Sequence, residues 1–220
     1  ARPDGEWSVN FDNSSTSLLY FGMGATGSFD GNFTIEGFFY ARTNVVQNSV
    51  NPTIIAVGDK AFQIYLDVNN ARITLTTSQN QDANDNNSKI IESAADSITL
   101  GVWHHFAIVR DGSGSNNVSL YLNGTRVTQA TNTATLGATS GNSWIANSTS
   151  NAGQWDGYLS NIRILKGTAQ YSGSSITVPT SGLTDVTNCV LLMAQSNRFV
   201  DNGANSLAIA LSGAVPSISA

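Results

Sequence analysis

Cysteine is almost absent from this chain. Cys189 is the single one in 220 residues, so an intrachain disulfide is impossible and a zinc site built from several thiolates is excluded. Histidine and glutamate are nearly as scarce, with two of the first and three of the second. Little is left for acid–base chemistry. Charge of either sign is thin: Asp, Glu, Lys and Arg make up 11% of the residues, about half the usual share. The net charge is −5, and the ten Lys and Arg are scattered with no basic stripe. A nucleic-acid partner is therefore not expected, because that affinity comes from clustered cations neutralising phosphates. No apolar run approaches the roughly 18 residues of a membrane span. Membrane insertion is not expected either, and Ala1–Asp4 carries no apolar signal core.

What is present argues for a folded β-protein. The chain is 40% hydrophobic and 9% aromatic, which is too rich for disorder. Ser, Thr, Asn and Gly dominate the remainder, a composition that suits a rigid, turn-rich protein outside a cell. The apolar pattern has period two almost throughout. Phe33, Ile35 and Phe39 alternate with Thr34, Glu36, Phe38 and Tyr40. Phe62, Ile64 and Leu66 alternate with Gln63 and Tyr65. Further strands are expected at 17–21, 53–57, 72–76, 90–92, 103–110, 118–122, 125–127, 157–165, 189–194 and 206–211. Asn70–Ala71 and Asn123–Gly124 read as hairpin turns, and 78–89 reads as a polar loop. No segment sustains a helical stripe. About a dozen short strands make an all-β fold, either a two-sheet antiparallel sandwich or a closed barrel. One domain over 1–220 is expected, with a core of about 9–211. Residues 1–8 and 213–220 read as joins to neighbouring sequence in a longer protein.

Four segments, in order, carry a resemblance. They are Asp30–Tyr40 (DGNFTIEGFFY), Trp103–Arg110 (WHHFAIVR), Val118–Gly124 (VSLYLNG) and Trp155–Ile164 (WDGYLSNIRI). Together they resemble laminin-G-like modules of the concanavalin A-like lectin/glucanase superfamily. The run Lys166–Tyr171, then Pro179, then Leu191–Arg198, resembles the variant in structural and appendage proteins of tailed, especially marine, phages. This resemblance implies a two-sheet jelly roll. It also implies non-enzymatic surface recognition of a host-surface glycan, in a virion or an extracellular protein. A structural decoration or oligomerisation domain with a virion-protein partner is the alternative. A glycoside hydrolase is the third reading, since the superfamily contains them.

The residues speak against the hydrolase. Retaining glucanases of this fold carry Glu, Asp and Glu at alternate positions of one strand, and no such strand exists here. Glu6, Glu36 and Glu92 lie far apart. His104 and His105 are strand neighbours, so they point to opposite faces. Cys189 sits in an apolar strand, where a thiol is inert. No catalytic residue is therefore expected.

Sugar binding needs aromatic faces with planar amides nearby. Trp144 and Trp155 flank the amide-rich stretch 147–154, and Tyr65 and Gln63 share the polar side of their strand. These four are the candidate ligand contacts. No cofactor is required. The resemblance does bring Ca²⁺ at a sheet edge, with Asp59, just ahead of the Phe62 strand, as the candidate ligand.

Overall fold

A computed structural model of the chain describes residues 7–13, 18–23, 28–43, 50–58, 62–77, 89–136, 141–148, 152–213 and 216–219. Among them the chain forms fifteen strands and no helix. The strands are β1 (Ser8–Asp12), β2 (Leu18–Phe21), β3 (Phe33–Ala41), β4 (Thr53–Val57), β5 (Phe62–Asp67), β6 (Arg72–Thr76), β7 (Lys89–Glu92), β8 (Trp103–Arg110), β9 (Val118–Leu122), β10 (Thr125–Ala130), β11 (Ser143–Ile145), β12 (Asp156–Lys166), β13 (Cys189–Met193), β14 (Ile209–Ser212) and β15 (Ser217–Ser219). They make two antiparallel sheets. The first runs β10-β9-β8-β3-β12-β1-β15, with β13 also on β12; the second runs β14-β2-β11-β4-β5-β6-β7. Of the two all-β readings that the alternation allowed, this is the sandwich, as the resemblance implied.

Strand parity decides what each sheet turns inward. Phe33, Ile35 and Phe39 of β3 join Phe106 and Ile108 of β8 and Leu159 and Ile164 of β12 in the core. The second sheet answers with Ile55, Val57, Phe62, Ile64, Ile73 and Leu75. Phe29 bridges the two, edge-on to Phe33 at 5.9 Å and to Phe62 at 5.2 Å. Close-packed strands demand one special residue. Gly157 has φ 143°, and a Cβ there would lie 1.9 Å from the Tyr40 carbonyl oxygen. Only glycine lets β12 approach β3 at that point.

Three strands lie outside the sequence-based expectations. β1 and β11 are short and mixed in character, so alternation gives little signal. β15 falls in the stretch read as a join, yet it pairs Ser8 with Ser219 and Val9 with Ile218. In the other direction, the strand expected from 206 begins at Ile209. Asp201 explains the shift. Its carboxylate accepts the amides of Leu192, Gly203 and Leu207, each at 2.9 Å, and so holds 201–207 as a turn. Ser206 has φ 47°, incompatible with a strand.

After β12 the chain crosses the outer face of the first sheet as a strap, 167–188. Ala169, Tyr171 and Ile176 pack on Ala107, Val109 and Tyr121. Leu183 and Val186 pack with Leu165, Cys189 and Leu192. Beneath the strap Glu36 is fully buried. Arg163 donates to its Oε1 from Nε at 2.9 Å and Nη2 at 2.5 Å, and the Tyr171 hydroxyl donates to Oε2 at 2.7 Å.

Candidate functional site

The outer face of the second sheet gathers three of the four expected ligand contacts. Directly paired residues of antiparallel strands share a face. Tyr20 of β2 pairs Trp144 of β11, Trp144 pairs Ala56 of β4, Ala56 pairs Gln63 of β5, and Gln63 pairs Thr76 of β6. One straight row therefore crosses five strands. Tyr65 stands one step along β5 on the same face, paired with Thr74.

The row has a definite shape. Tyr20 and Trp144 form a tilted aromatic pair with centroids 5.2 Å apart. Gln63 stands two strands from Trp144, about 9.6 Å at ~4.8 Å per strand. Ala56 lies between them and, like Gln63, is 0% exposed, so the indole and the planar amide flank a small residue on a face that is covered. Gln63 is 0% exposed, yet both its Oε1 and its Nε2 lack a hydrogen-bond partner. The Nε1 of Trp144, 8% exposed, is also without an acceptor. Buried amides are ordinarily satisfied, so these three polar atoms stand ready for hydroxyl groups or water. Tyr65 is 5% exposed; burial, then the charge of Asp67, pushes its phenol up to about 12. It stays a neutral donor.

Trp155 does not join the row, and the expectation for it is corrected. It is 1% exposed and packs into the core, edge-on to Phe39 at 5.9 Å. It flanks the same amide-rich stretch as Trp144, but its ring faces inward and offers no surface to a ligand. Asp59 and residues 78–88 lie outside the described residues. Among those described, no group of three or more His, Cys, Asp or Glu is placed to hold a metal.

Asp67, Glu92 and Glu36 are engaged in holding structure. Arg72 bridges Asp67 at 3.0 Å and Glu92 at 2.8 Å. Burial alone would raise Asp67, but hydrogen bonds from Asn70, Arg72 and the Asn69 amide outweigh it and hold the carboxyl below its usual value. Glu36 is held low in the same sense: His105, Arg163 and Tyr171 overcome the effect of burial. A general acid for glycoside hydrolysis needs a raised pKa, and neither group has one. Glu36 and Glu92 sit on the outer faces of opposite sheets and cannot converge. His104 faces inward, stacked on Phe39. His105 faces outward, with Nε2 3.7 Å from Glu36, an ion-pair distance too long for a hydrogen bond.

Sequence reasoning passed over one aromatic group. Tyr40, Trp103 and Tyr158 cluster on the outer face of the first sheet, with centroids 5.6–6.1 Å apart. They line a cavity of about 210 Å³ with Ser8 and Ser219. The Arg42 guanidinium lies 4.6 Å over the Tyr158 ring and is tied to Asp156 and Asn10. The signal was present in the parity of Tyr40, which leaves it on the outer side of β3 with Phe38.

Comparison with known proteins bears on the fold. No curated protein matches the chain. A heptameric SAP-like pentraxin from Limulus polyphemus superposes with a TM-score of 0.57 at 15% identity, over 97% of this chain and 95% of its own. A candidate carbohydrate-binding protein from Bacteroides ovatus superposes with a TM-score of 0.60 at 15% identity, over 96% of this chain. The match spans 61% of the Bacteroides chain. At such identity the likeness is one of fold. A family model matches residues 9–170, most of the chain. With the two-sheet topology in hand, that match places the protein in the concanavalin A-like lectin/glucanases superfamily.

Proposed function

We propose that this protein is a non-catalytic glycan-recognition module that takes a sugar at the Trp144–Ala56–Gln63 row. The observation that carries the reading is Gln63: a fully buried amide with neither atom partnered, set beside an aromatic pair. A planar amide offers one donor side and one acceptor side to neighbouring hydroxyls. The indole offers a face to the C–H side of the ring. The Bacteroides protein of the same fold is itself described as a carbohydrate binder, which supports this reading. We place the module in a virion appendage or another extracellular protein, acting on a host-surface glycan. Affinity for one copy would be weak, with avidity from several. A glycan array probed with a multivalent display tests it. Binding that Trp144→Ala and Gln63→Met each weaken supports the row. Full binding by both variants overturns it, and silence across a broad array overturns glycan recognition. Running the array with and without Ca²⁺ tests the proposal that Asp59 contributes to a metal site.

A second reading is a structural role with a protein partner. It is favoured by the ring cluster of Tyr40, Trp103 and Tyr158, with Leu100 and Val102 exposed in the adjoining turn. An apolar patch of this kind suits a protein surface. Loss of particle or oligomer assembly in Trp103→Ser, with glycan binding intact, would favour it.

A further inference from the structure

A different cleft opens on the outer face of the first sheet, between the β8–β9 turn and the strap. Its floor is Ser119 and Tyr121, and its volume is about 160 Å³. That is room for about five waters at their ~30 Å³ share of the liquid, enough for one charged substituent and the ring edge behind it. The strap forms one wall and is held firmly. The Tyr121 hydroxyl donates to the Gly173 carbonyl at 3.0 Å, and the Ile176 amide donates to the Gly124 carbonyl at 2.8 Å.

A β-bulge arms this cleft. Arg126 pairs with Tyr121, but the next pairs are Thr128 with Leu120 and Gln129 with Ser119. Val127 is the extra residue, and it is exposed. In a regular strand Arg126 and Gln129, three apart, would face opposite sides. The bulge puts both on the same face, beside Tyr121 and Ser119. Bulges often re-aim a side chain next to a functional site.

Arg126 and the exposed Arg198 are the two described arginines whose guanidinium has no partner, and of the two only Arg126 is half-buried. Arg42, Arg72, Arg110 and Arg163 each donate to carboxylates or carbonyls. The half-buried Arg126 guanidinium makes no hydrogen bond or ion pair among the described residues, although its backbone amide donates to Ser174. Gln129 Nε2 donates to the Asn116 carbonyl at 3.1 Å and to Ser119 Oγ at 3.3 Å. That leaves Gln129 Oε1 as an unused acceptor on a residue of the same sheet face. An unpaired planar fork of donors fits a carboxylate at two points.

We propose that this cleft binds the carboxylate of an acidic saccharide, a uronate, on Arg126. Gln129 Oε1 and the Asp111 carboxylate at the rim accept from the sugar's hydroxyls. The site lies on the opposite sheet from the Trp144 row; the carboxylate assignment rests on Arg126, and only the choice of a saccharide rests on the proposed glycan recognition. The test is titration of the full chain with glucuronate and galacturonate, followed by amide and guanidinium NMR shifts. Glucose and glucose 6-sulfate serve as the neutral and sulfated arms. The proposal expects uronate shifts centred on Arg126, Ser119 and Gln129, affinity at least about tenfold lower in Arg126→Ala, and a partial loss in Arg126→Lys. Arg126 has no side-chain bonds to lose, so an unaltered melting temperature shows that the variant is folded. Absence of uronate shifts, or uronate binding that survives Arg126→Ala, overturns the site. Equal or tighter binding of the sulfate overturns the carboxylate assignment.

Discussion

Arg163 grips Glu36 at two points, 2.9 and 2.5 Å, across the β3–β12 pairing and beneath Tyr171. Removing one partner of such a buried pair leaves the other charge uncompensated, which costs about 3–5 kcal/mol. Glu36→Gln is expected to lower stability by that order in chemical denaturation. A loss below about 1 kcal/mol would mean that the pair is solvated in solution.

The same carboxylate predicts acid sensitivity. Burial alone would raise it, but His105, Arg163 and Tyr171 hold it below its ordinary 4.5 in the folded state. The unfolded chain therefore binds the proton first as pH falls. The contribution of Glu36 is complete above about 4.5 and is lost as pH drops through the lower folded value. Melting temperature should fall below pH 4.5 in the parent and less steeply in Glu36→Gln. Identical slopes would assign the effect to other carboxylates, Asp67 first among them.

Gln63 predicts a conflict between stability and binding. Its two unpartnered amide atoms each carry a desolvation penalty of about 1–3 kcal/mol. Gln63→Met, close in volume, should raise the melting temperature by at least about 4 °C (about 2–4 °C per kcal/mol at this size) while weakening glycan binding. A variant that is destabilised would show that the amide is satisfied by water in the free protein.

The row is shielded, with Trp144 8% and Gln63 0% exposed, so ligand entry requires an opening step. Association should be slow, below about 10⁵ M⁻¹s⁻¹, with an observed rate that levels off at high ligand. Stopped-flow tryptophan fluorescence measures this. A rate that rises linearly to fast values would place the ligand on an exposed surface instead, with the Tyr40–Trp103–Tyr158 cavity as the next site to mutate.

Cys189 should be unreactive. Burial, then the neighbouring Asp185, pushes its thiol up to about 11, so little thiolate exists near neutrality. Native protein at pH 8 should resist a disulfide-exchange reagent for hours and react at once in denaturant. Rapid labelling of native protein would mean that 183–192 opens readily.

The sandwich was legible because its strands alternate cleanly. The Phe33–Tyr40 and Phe62–Leu66 segments declare which side is inside, and the four resembling segments give their order. The site was legible only in part. Tyr65 and Gln63 share a strand, so their common face follows from parity. Trp144 reaches the same row through the order β11-β4-β5, which no local pattern contains. Trp155 misled because proximity to a polar stretch says nothing of strand parity. Arg126 was invisible for the opposite reason: a bulge breaks the parity on which such reading depends. β15 is three residues with one apolar side chain, too short to register any period.

The bulge at Val127 has a second effect, on crowding. β10 is the outermost strand at one end of its sheet; the strap pairs its first residues through Thr125–Ser175 and the Arg126 amide, and the amides and carbonyls beyond them offer an edge to a strand from another copy. An extra residue twists that border and interrupts its regular spacing of donors and acceptors. A second copy meeting this border finds no regular ladder to extend.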